Sequence, residues 1–334
     1  MDNTKSEKTF RIGFDLGGTK MMACVYDAKF RVAGARRRRT KGELGVRVGL
    51  ARIVETIDQA LAEAGLTRSA LKEIGMAVPG MLDLDRGFLF HAPNLGWHDV
   101  PLRKHLSKTF GVPVTLANDV DAGTYAEYRF GAAQGARCVL GVFPGTGIGG
   151  ACIYQGRIFR GKTGSCMEIG HVPVQPDGLL CGCGRRGCLE TVASRLALSA
   201  ELAVAVYRGQ APHLAALTGT DIANIRSGSI RQAIEKGDDL VDQIVRRAAR
   251  HIGRALIGAV HLLAPDVIVL GGGLVEEMPD LFVNTIKDTL DRGVMDAFRK
   301  TYKVVPALLG DNATALGAAA LGLEAETSSR GRDP

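Results

Sequence analysis

The stretch "RIGFDLGGTKMMACVYD" (residues 11–27) decides the fold of the first half of the chain. It predicts a strand, a turn with two glycines and a second strand, which form a β-hairpin that "FRVAGARRRRT" (residues 30–40) continues as a third strand. In the turn, Asp15 ends a strand, and Gly17 and Gly18 allow backbone N–H groups to converge on an anion. A plain hairpin turn explains this loop equally well when it is taken alone.

A similar hairpin begins at "RCVLGVFPGTGIGGACIYQGRI" (residues 137–158), and a late strand ends in "LGGG" (residues 270–273). Because both halves begin with the same glycine-turn hairpin, the sequence indicates a duplicated α/β unit with a cleft between the copies. The length of 334 residues also favours two domains over one core. We expect a turn-rich stretch up to residue 97, a surface excursion over 208–227, and helices over 45–64, 189–206 and 238–264.

The composition is that of an ordinary globular protein, with 46% hydrophobic and 23% charged residues. A net charge of +7 suits an anionic partner such as a nucleotide, but it also suits solubility alone. Because only 5% of the residues are aromatic, platforms for stacking bases are not expected, and neither is nucleic acid as a partner. The start has no apolar core of a secretory signal, and the longest apolar stretch is interrupted by His261, Pro265 and Asp266. We therefore expect a cytoplasmic protein without a membrane segment.

The segment "GHVPVQPDGLLCGCGRRGCLE" (residues 170–190) gathers His171, Cys181, Cys183 and Cys188. In a reducing compartment, and with an odd total of seven cysteines, clustered thiols favour a metal over disulfides. Three thiolates and an imidazole form a set that tetrahedral zinc accepts, and four protein ligands leave no open position, so such a zinc is structural. The spacing is not that of a zinc finger, and the residues alone leave a redox or buried-thiol cluster open.

The glycine-rich loops exclude two common nucleotide-binding folds, because neither a Walker A pattern nor a dinucleotide-binding G-x-G-x-x-G occurs in its proper setting. Taken together, D-x-G-G-T-K at residues 15–20, G-T-G-x-G-G at 145–150 and L-G-G-G at 270–273 resemble the actin-like ATPase superfamily of sugar kinases. Gly-His followed by C-x-C-G-x-x-G-C-x-E, which ends at Glu190, is similar to the signature of the ROK family (repressors, open reading frames, kinases). The resemblance runs from about residue 11 to about residue 322.

The resemblance implies an α/β fold of two RNase H-like (actin-like ATPase) domains, with an interdomain cleft and a structural zinc site in the second domain. A small N-terminal domain would comprise residues 1–119 plus 312–334, and a large C-terminal domain residues 120–311. The C-terminal helix would cross back to the first domain. The family also implies a homodimer.

The implied activity is ATP-dependent phosphorylation of a hexose hydroxyl, with glucose to glucose 6-phosphate as the first choice. N-acetylglucosamine, N-acetylmannosamine and fructose are the alternative acceptors. A sugar-responsive regulator of the same family is the non-enzyme alternative. Only ten residues precede the first predicted strand, too few for a DNA-reading helix-turn-helix.

The resemblance also assigns roles to individual residues. Asp119, which follows a buried strand in "TLAND", would be the general base that accepts the proton of the sugar hydroxyl. The expected sugar-binding residues are Gly80, Asn94, Asn118, Asp119, Glu168, His171 and Glu190. The expected ATP- and Mg²⁺-binding residues are Asp15, Gly17, Gly18, Thr19, Lys20, Thr146, Gly147 and Gly272.

Simpler interpretations exist for several of these residues. Asn118 with Asp119 is typical of a helix cap, and Glu190 suits the start of the helix that follows it. Glu168 could be a plain surface residue.

Two features depart from the family pattern. Cys166 and Met167 stand where small residues and glycine are common, and they are expected to reshape the pocket beside the sugar, with Cys166 a bystander to the metal. Arg36 to Arg39 suit the solvated face of an edge strand, where basic side chains deter further pairing. Polyphosphate as the phosphoryl donor is the alternative explanation of this basic run.

Overall fold

The computed structural model describes residues 9–162 and 166–330, with side chains up to residue 323. The described residues fall into two compact units. The first lies within Met1–Phe130, Arg160–Gly164 and Leu309–Pro334, and the second within Gly131–Phe159 and Ser165–Leu308.

Each unit begins with three consecutive strands and continues with helices and further strands, as the duplicated pattern predicts. In the first unit the strands are β1 Phe10–Leu16, β2 Lys20–Tyr26, β3 Val32–Arg39, β4 Leu71–Val78, β5 Met81–Asp83, β6 Phe88–Ala92, β7 Trp97–Val100 and β8 Val114–Asn118. In the second unit they are β9 Cys138–Pro144, β10 Ile148–Tyr154, β11 Arg157–Ile158, β12 Val267–Leu270 and β13 Lys303–Pro306.

The helices of the first unit are α1 Val46–Glu63, α2 Leu102–Phe110, α3 Asp119–Phe130 and the C-terminal α11 Ala313–Arg330. Those of the second unit are α4 Glu190–Ala193, α5 Arg195–Tyr207, α6 Pro212–Thr218, α7 Ser227–Glu235, α8 Asp239–Leu263, α9 Gly273–Glu277 and α10 Pro279–Gly293. Across the described residues, no helix combines the length and the apolar character that crossing a bilayer requires.

The two main sheets share one plan. The first has the order β3-β2-β1-β4-β8 and the second the order β11-β10-β9-β12-β13. In each sheet the three strands of the hairpin region are antiparallel, and the two later strands run parallel to the first hairpin strand. The repeated hairpin is therefore the start of a repeated mixed α/β sheet. The basic strand β3 lies at the edge of its sheet, as its four arginines predict.

The C-terminal helix α11 packs in the first unit, against α3 and across β1 and β4. Glycine makes this contact possible, because a Cβ on Gly13 would overlap the carbonyl oxygen of Ala315 and one on Gly75 would overlap that of Ala318. Gly13 and Gly75 are paired across β1 and β4, so the helix backbone lies directly on the sheet. The predicted first boundary, at residue 119, lies at the start of α3, but the compact unit continues through that helix to Phe130.

Two local predictions were wrong, and a third was incomplete. The stretch predicted as turns forms a separate three-stranded sheet, β5-β6-β7, whose strands are too short to show a clear alternation. The helix predicted over residues 189–206 is divided at Ser194, which is extended and whose side chain accepts from the Ala197 N–H at 3.2 Å. The predicted surface excursion contains α6, and its Ala211 and Leu214 are fully buried in the second core.

Gly75→Ala is expected to lower the free energy of unfolding by about 1–3 kcal/mol, the usual cost of overpacking a core. The methyl group has no room, because the Ala318 carbonyl is backbone and moves only with α11. Urea unfolding followed by circular dichroism measures the change. Gly258→Ala in α8 is the matched control, since nothing lies within 4 Å of its Cβ position, and alanine there should be neutral or stabilising by up to about 1 kcal/mol. Equal stability of the two variants would contradict this account of the packing.

Candidate functional site

A row of residues crosses the first sheet at the end of β1. Asp15 pairs with Met22 of β2, which pairs with Arg37 of β3, so the three side chains share one face of the sheet. The Arg37 guanidinium donates to Asp311 at 2.8 Å and contacts the Met22 sulfur at 3.5 Å. Asp311 lies in the short turn Gly310–Asn312 that precedes α11. The packing of α11 thus brings a carboxylate from the C-terminal region to the predicted phosphate loop.

The Asp15 carboxylate is only partly compensated by nearby positive charge. Burial is the main cause that raises its pKa to about 7, and the nearby Asp119 carboxylate adds to this effect. Arg37 lowers the pKa and Asp311 raises it by smaller amounts. No donor within the described ranges forms a hydrogen bond with this carboxylate. A half-buried, unpaired carboxylate among other carboxylates is a ligand type that suits a hard divalent cation such as Mg²⁺.

Asp119 begins α3 directly after β8 and lies near Asp15. Burial raises its pKa, while the backbone N–H of Val120, which donates to Oδ1 at 3.0 Å, lowers it. The side-chain oxygen of Asn118 accepts from the N–H groups of Val120 and Asp121, at 2.9 and 3.4 Å. Asn118 therefore caps the helix, as the simpler interpretation predicts, and its cap holds Asp119 at the end of the strand.

The first glycine-rich loop packs against a predicted sugar-binding residue. The Gly17 N–H donates to the Lys20 carbonyl at 2.9 Å, and Thr19 and Lys20 are exposed. A Cβ on Gly18 would lie 2.9 Å from the Cβ of Asn94. The structure therefore brings the predicted phosphate loop and Asn94 into direct contact.

Gly80 occupies a backbone conformation that requires glycine. Its φ is 94°, and a Cβ there would overlap the carbonyl oxygen of His91. Trp97 is fully buried beside this region and its indole N–H donates to the Gly42 carbonyl at 3.3 Å, as expected for a packing role.

In the second unit, one carboxylate joins two of the predicted motifs. Glu190 Oε2 accepts from the Ile148 N–H at 2.9 Å, and a Cβ on Gly147 would overlap the same oxygen. Its Oε1 lies 3.8 Å from the Cys181 sulfur. Glu190 begins α4, but its carboxylate is turned to the glycine-rich loop of residues 145–150, so it does more than mark the start of a helix.

The other glycine loop of this unit lies against the same strand end. Gly272 has a φ of 79°, and a Cβ there would lie 2.9 Å from the Pro144 carbonyl oxygen. Arg195 supports the neighbouring loop, since its N–H donates to the Gly145 carbonyl and its guanidinium to the Thr146 hydroxyl, both at 2.8 Å. The structure therefore brings Thr146, Gly147 and Gly272 close together, as predicted for one binding surface. The contacts of Arg195 were not predicted from the sequence, because they are visible only in the structure.

Glu168 and His171 flank a tight turn. The Glu168 carbonyl accepts from the His171 N–H at 2.9 Å, and the Glu168 side chain is exposed. Met167 has a φ of 58°, a left-handed conformation that glycine adopts more easily than methionine. The Met167 carbonyl oxygen occupies the position that a Cβ on Gly150 would take, so the turn packs directly against β10.

The predicted metal ligands converge. One ligand atom each from His171, Cys181, Cys183 and Cys188 lies within 4.8 Å of all the others. The His171 Nδ1 is 3.6 Å from the Cys181 sulfur, and the Cys183 and Cys188 sulfurs are 3.7 Å apart. A tetrahedron with Zn–S bonds of about 2.3 Å separates its sulfurs by roughly 3.8 Å, so the donor set fits zinc in chemistry and in size. Cys166 lies outside this set, and its thiol donates to the Phe159 carbonyl at 2.7 Å.

The chain is similar to known proteins over most of its length. The family profile described as "ROK family" matches residues 11–325. The glucokinase of Thermotoga maritima is 32% identical over 311 residues, 93% of this chain and 96% of that protein. A crystal structure of a ROK family glucokinase from Streptomyces griseus, in complex with glucose and AMPPNP, has a TM-score of 0.81 at 32% identity and covers 94% of this chain and 99% of that one. The DNA-binding transcriptional repressor Mlc of Escherichia coli is 32% identical over 81% of this chain and 65% of the repressor.

Asp15→Asn is expected to stabilise the ligand-free protein at about pH 8 and to change its stability little at about pH 4. The folded pKa of about 7 lies above the ordinary 3.8, so unfolding releases a proton between these values. Stability therefore falls as the pH rises toward the folded pKa, and the asparagine removes this loss. Thermal unfolding without Mg²⁺ or nucleotide, measured across this pH range, tests the expectation. Identical melting temperatures at the alkaline end would contradict the unpaired, buried state of Asp15.

Proposed function

The chain belongs to the ROK family, as its motifs predict, and on that premise we propose that it transfers the terminal phosphoryl group of ATP to a hexose, with glucose preferred. One observation carries the proposal: the first unit unites a phosphate-type loop, two interacting carboxylates and the Asn94 contact with that loop. The glucokinase of Thermotoga maritima and the Streptomyces griseus glucokinase bound to glucose and AMPPNP support glucose and ATP as the substrates.

In this proposal Asp119 is the general base. It accepts the proton of the acceptor hydroxyl as that oxygen attacks the terminal phosphorus of ATP, and ADP leaves. Its position at the start of α3, fixed by the Asn118 cap, holds the carboxylate at the end of β8. Burial raises the pKa of Asp119, which makes its carboxylate a stronger base than that of an ordinary aspartate.

We assign the donor phosphates and Mg²⁺ to the loop of residues 15–20. Asp15 would hold Mg²⁺, which would neutralise the negative charge of the donor phosphates. Gly17 and Gly18 leave the loop backbone open to an anion, and Thr19 adds a hydroxyl donor. In the second unit, the family resemblance supports Thr146, Gly147 and Gly272 as candidate nucleotide-binding residues.

The family resemblance supports the candidate sugar-binding residues that we propose in each unit, taken by itself. In the first unit Gly80, Asn94 and Asn118 would line the sugar beside Asp119. In the second unit Glu168 and Glu190 would accept hydrogen bonds from sugar hydroxyls, and His171 would face the sugar with the ring nitrogen that is not used for metal binding.

The group of His171, Cys181, Cys183 and Cys188 is proposed to hold a structural Zn²⁺. Its support is the convergence of four ligand atoms of the right chemistry. Because Glu190 lies beside Cys181, the ion would fix both the histidine and the acid that are assigned to the sugar. A homodimer in the cytoplasm remains part of the proposal on the family resemblance alone.

The purified protein with Mg-ATP is expected to release ADP in the presence of glucose, and more slowly with N-acetylglucosamine, N-acetylmannosamine or fructose. Asp119→Asn should lower kcat by roughly 10²- to 10⁴-fold, because the proton of the hydroxyl then has no acceptor. A coupled assay for ADP and a glucose titration by calorimetry measure turnover and binding separately.

Asp121→Asn is the matched control, since this buried carboxylate lies two residues away and interacts with Arg160 at 4.0 Å. It should retain most of the turnover. Absence of sugar-dependent ADP release with all four acceptors would refute the kinase proposal, and full activity of Asp119→Asn would refute the assigned base.

Elemental analysis is expected to find one zinc ion per chain. Cys188→Ser should lose most of it, lower the melting temperature and raise the KM for glucose, because the loop that carries His171 and Glu190 is no longer fixed. Cys166→Ser is the matched control, a thiol outside the four-residue group, and should keep the metal. A wild-type protein without zinc, or equal metal contents in both variants, would contradict a structural zinc.

A further inference from the structure

Thr40 lies directly after β3 and is fully buried against the first glycine-rich loop. Its hydroxyl donates to the Gly17 carbonyl at 2.6 Å, and its backbone N–H donates to the Thr19 carbonyl at 2.8 Å. One residue therefore binds two carbonyl groups of a loop that is only six residues long, from the side of β3.

The two hydrogen bonds fix the direction of the loop's donors. In a trans peptide the C=O and the following N–H point in opposite directions. Because Thr40 holds the Gly17 carbonyl, the Gly18 N–H must point away from β3, and the Thr19 carbonyl fixes the Lys20 N–H in the same way. The Gly18 N–H donates to no acceptor in the described part of the chain, so it remains for a ligand.

Arg52 of α1 holds Thr40 in turn. Its Nε donates to the Thr40 carbonyl at 3.1 Å and its Nη2 to the Arg39 carbonyl at 2.5 Å. Thr40 is thus bound on its hydroxyl, its N–H and its carbonyl, which leaves it one orientation. A helix, an edge strand and the loop are connected through this single residue.

We propose that Thr40 is a positioning residue, which aims the Gly18 N–H of the loop at the phosphoryl group that is transferred. The inference rests on the proposed function for the identity of the anion. Thr40 is buried behind the loop, so it acts through Gly17 and Thr19. The hydroxyl is needed because a valine of the same shape would leave the Gly17 carbonyl without its donor and free that peptide to rotate.

Thr40→Val is expected to raise the KM for Mg-ATP about tenfold, the effect of losing one well-placed hydrogen bond, and to change the KM for glucose less than about twofold. Thr40→Ser keeps the hydroxyl and should restore most of the affinity for Mg-ATP. Thr56→Val is the matched control, because Thr56 is also fully buried but its hydroxyl donates to Arg52 O, within α1. It should lower the melting temperature without changing either KM.

In the kinetic assay, two results would overturn the inference: an unchanged KM for Mg-ATP in Thr40→Val, or equal rises in both KM values that serine does not reverse. If the wild-type protein phosphorylates none of the hexoses, the proposed function fails, and calorimetric titration with Mg-AMPPNP tests Thr40 separately. Weaker binding by about tenfold in the valine variant alone would then sustain the inference. No binding of Mg-AMPPNP to the wild-type protein would overturn it.

Discussion

The contact on which the first unit depends is the direct approach of the α11 backbone to β1 and β4. It exists because glycine stands at positions 13 and 75, where any side chain would meet a helix carbonyl. The turn before α11 is thereby held at the end of the sheet, and Asp311 meets Arg37 there. The electrostatic surroundings of Asp15 therefore follow from a packing requirement between a helix and two strands.

In the second unit, the carboxylate of Glu190 is the contact on which the candidate site depends. Glu190 is bound by the backbone of the glycine-rich loop on one side and lies beside the thiol of Cys181 on the other. Order in the loop and order in the cysteine segment are consequently linked, since neither can move far without displacing this side chain. The two units have the same sheet topology. The candidate site of the first unit depends on the packing of a helix, and that of the second depends on a compact segment of cysteines and histidine.

The sequence predicted the features that are encoded locally. Both hairpins, α1 and the convergence of His171 with three cysteines follow from turn residues, periodicity and ligand chemistry. The sheet of β5, β6 and β7 was missed because strands of three to five residues show too little alternation, and the break at Ser194 because serine is also tolerated within a helix. Thr40 and Arg195 were missed for a different reason: each contacts backbone carbonyls far from it in the chain, and such contacts leave no pattern in the neighbouring residues.

The buried hydroxyl behind the first glycine-rich loop has a consequence for how such a protein can diverge. Backbone N–H groups survive almost every substitution, because only proline removes one. A surface made of them retains its chemistry while the residues around it change, provided that the support behind the loop stays. Side chains that bind the acceptor substrate are not conserved in this way, since one base change can replace a carboxylate or an amide. Selection can therefore change the specificity for the phosphoryl acceptor far more readily than the binding of the phosphoryl donor.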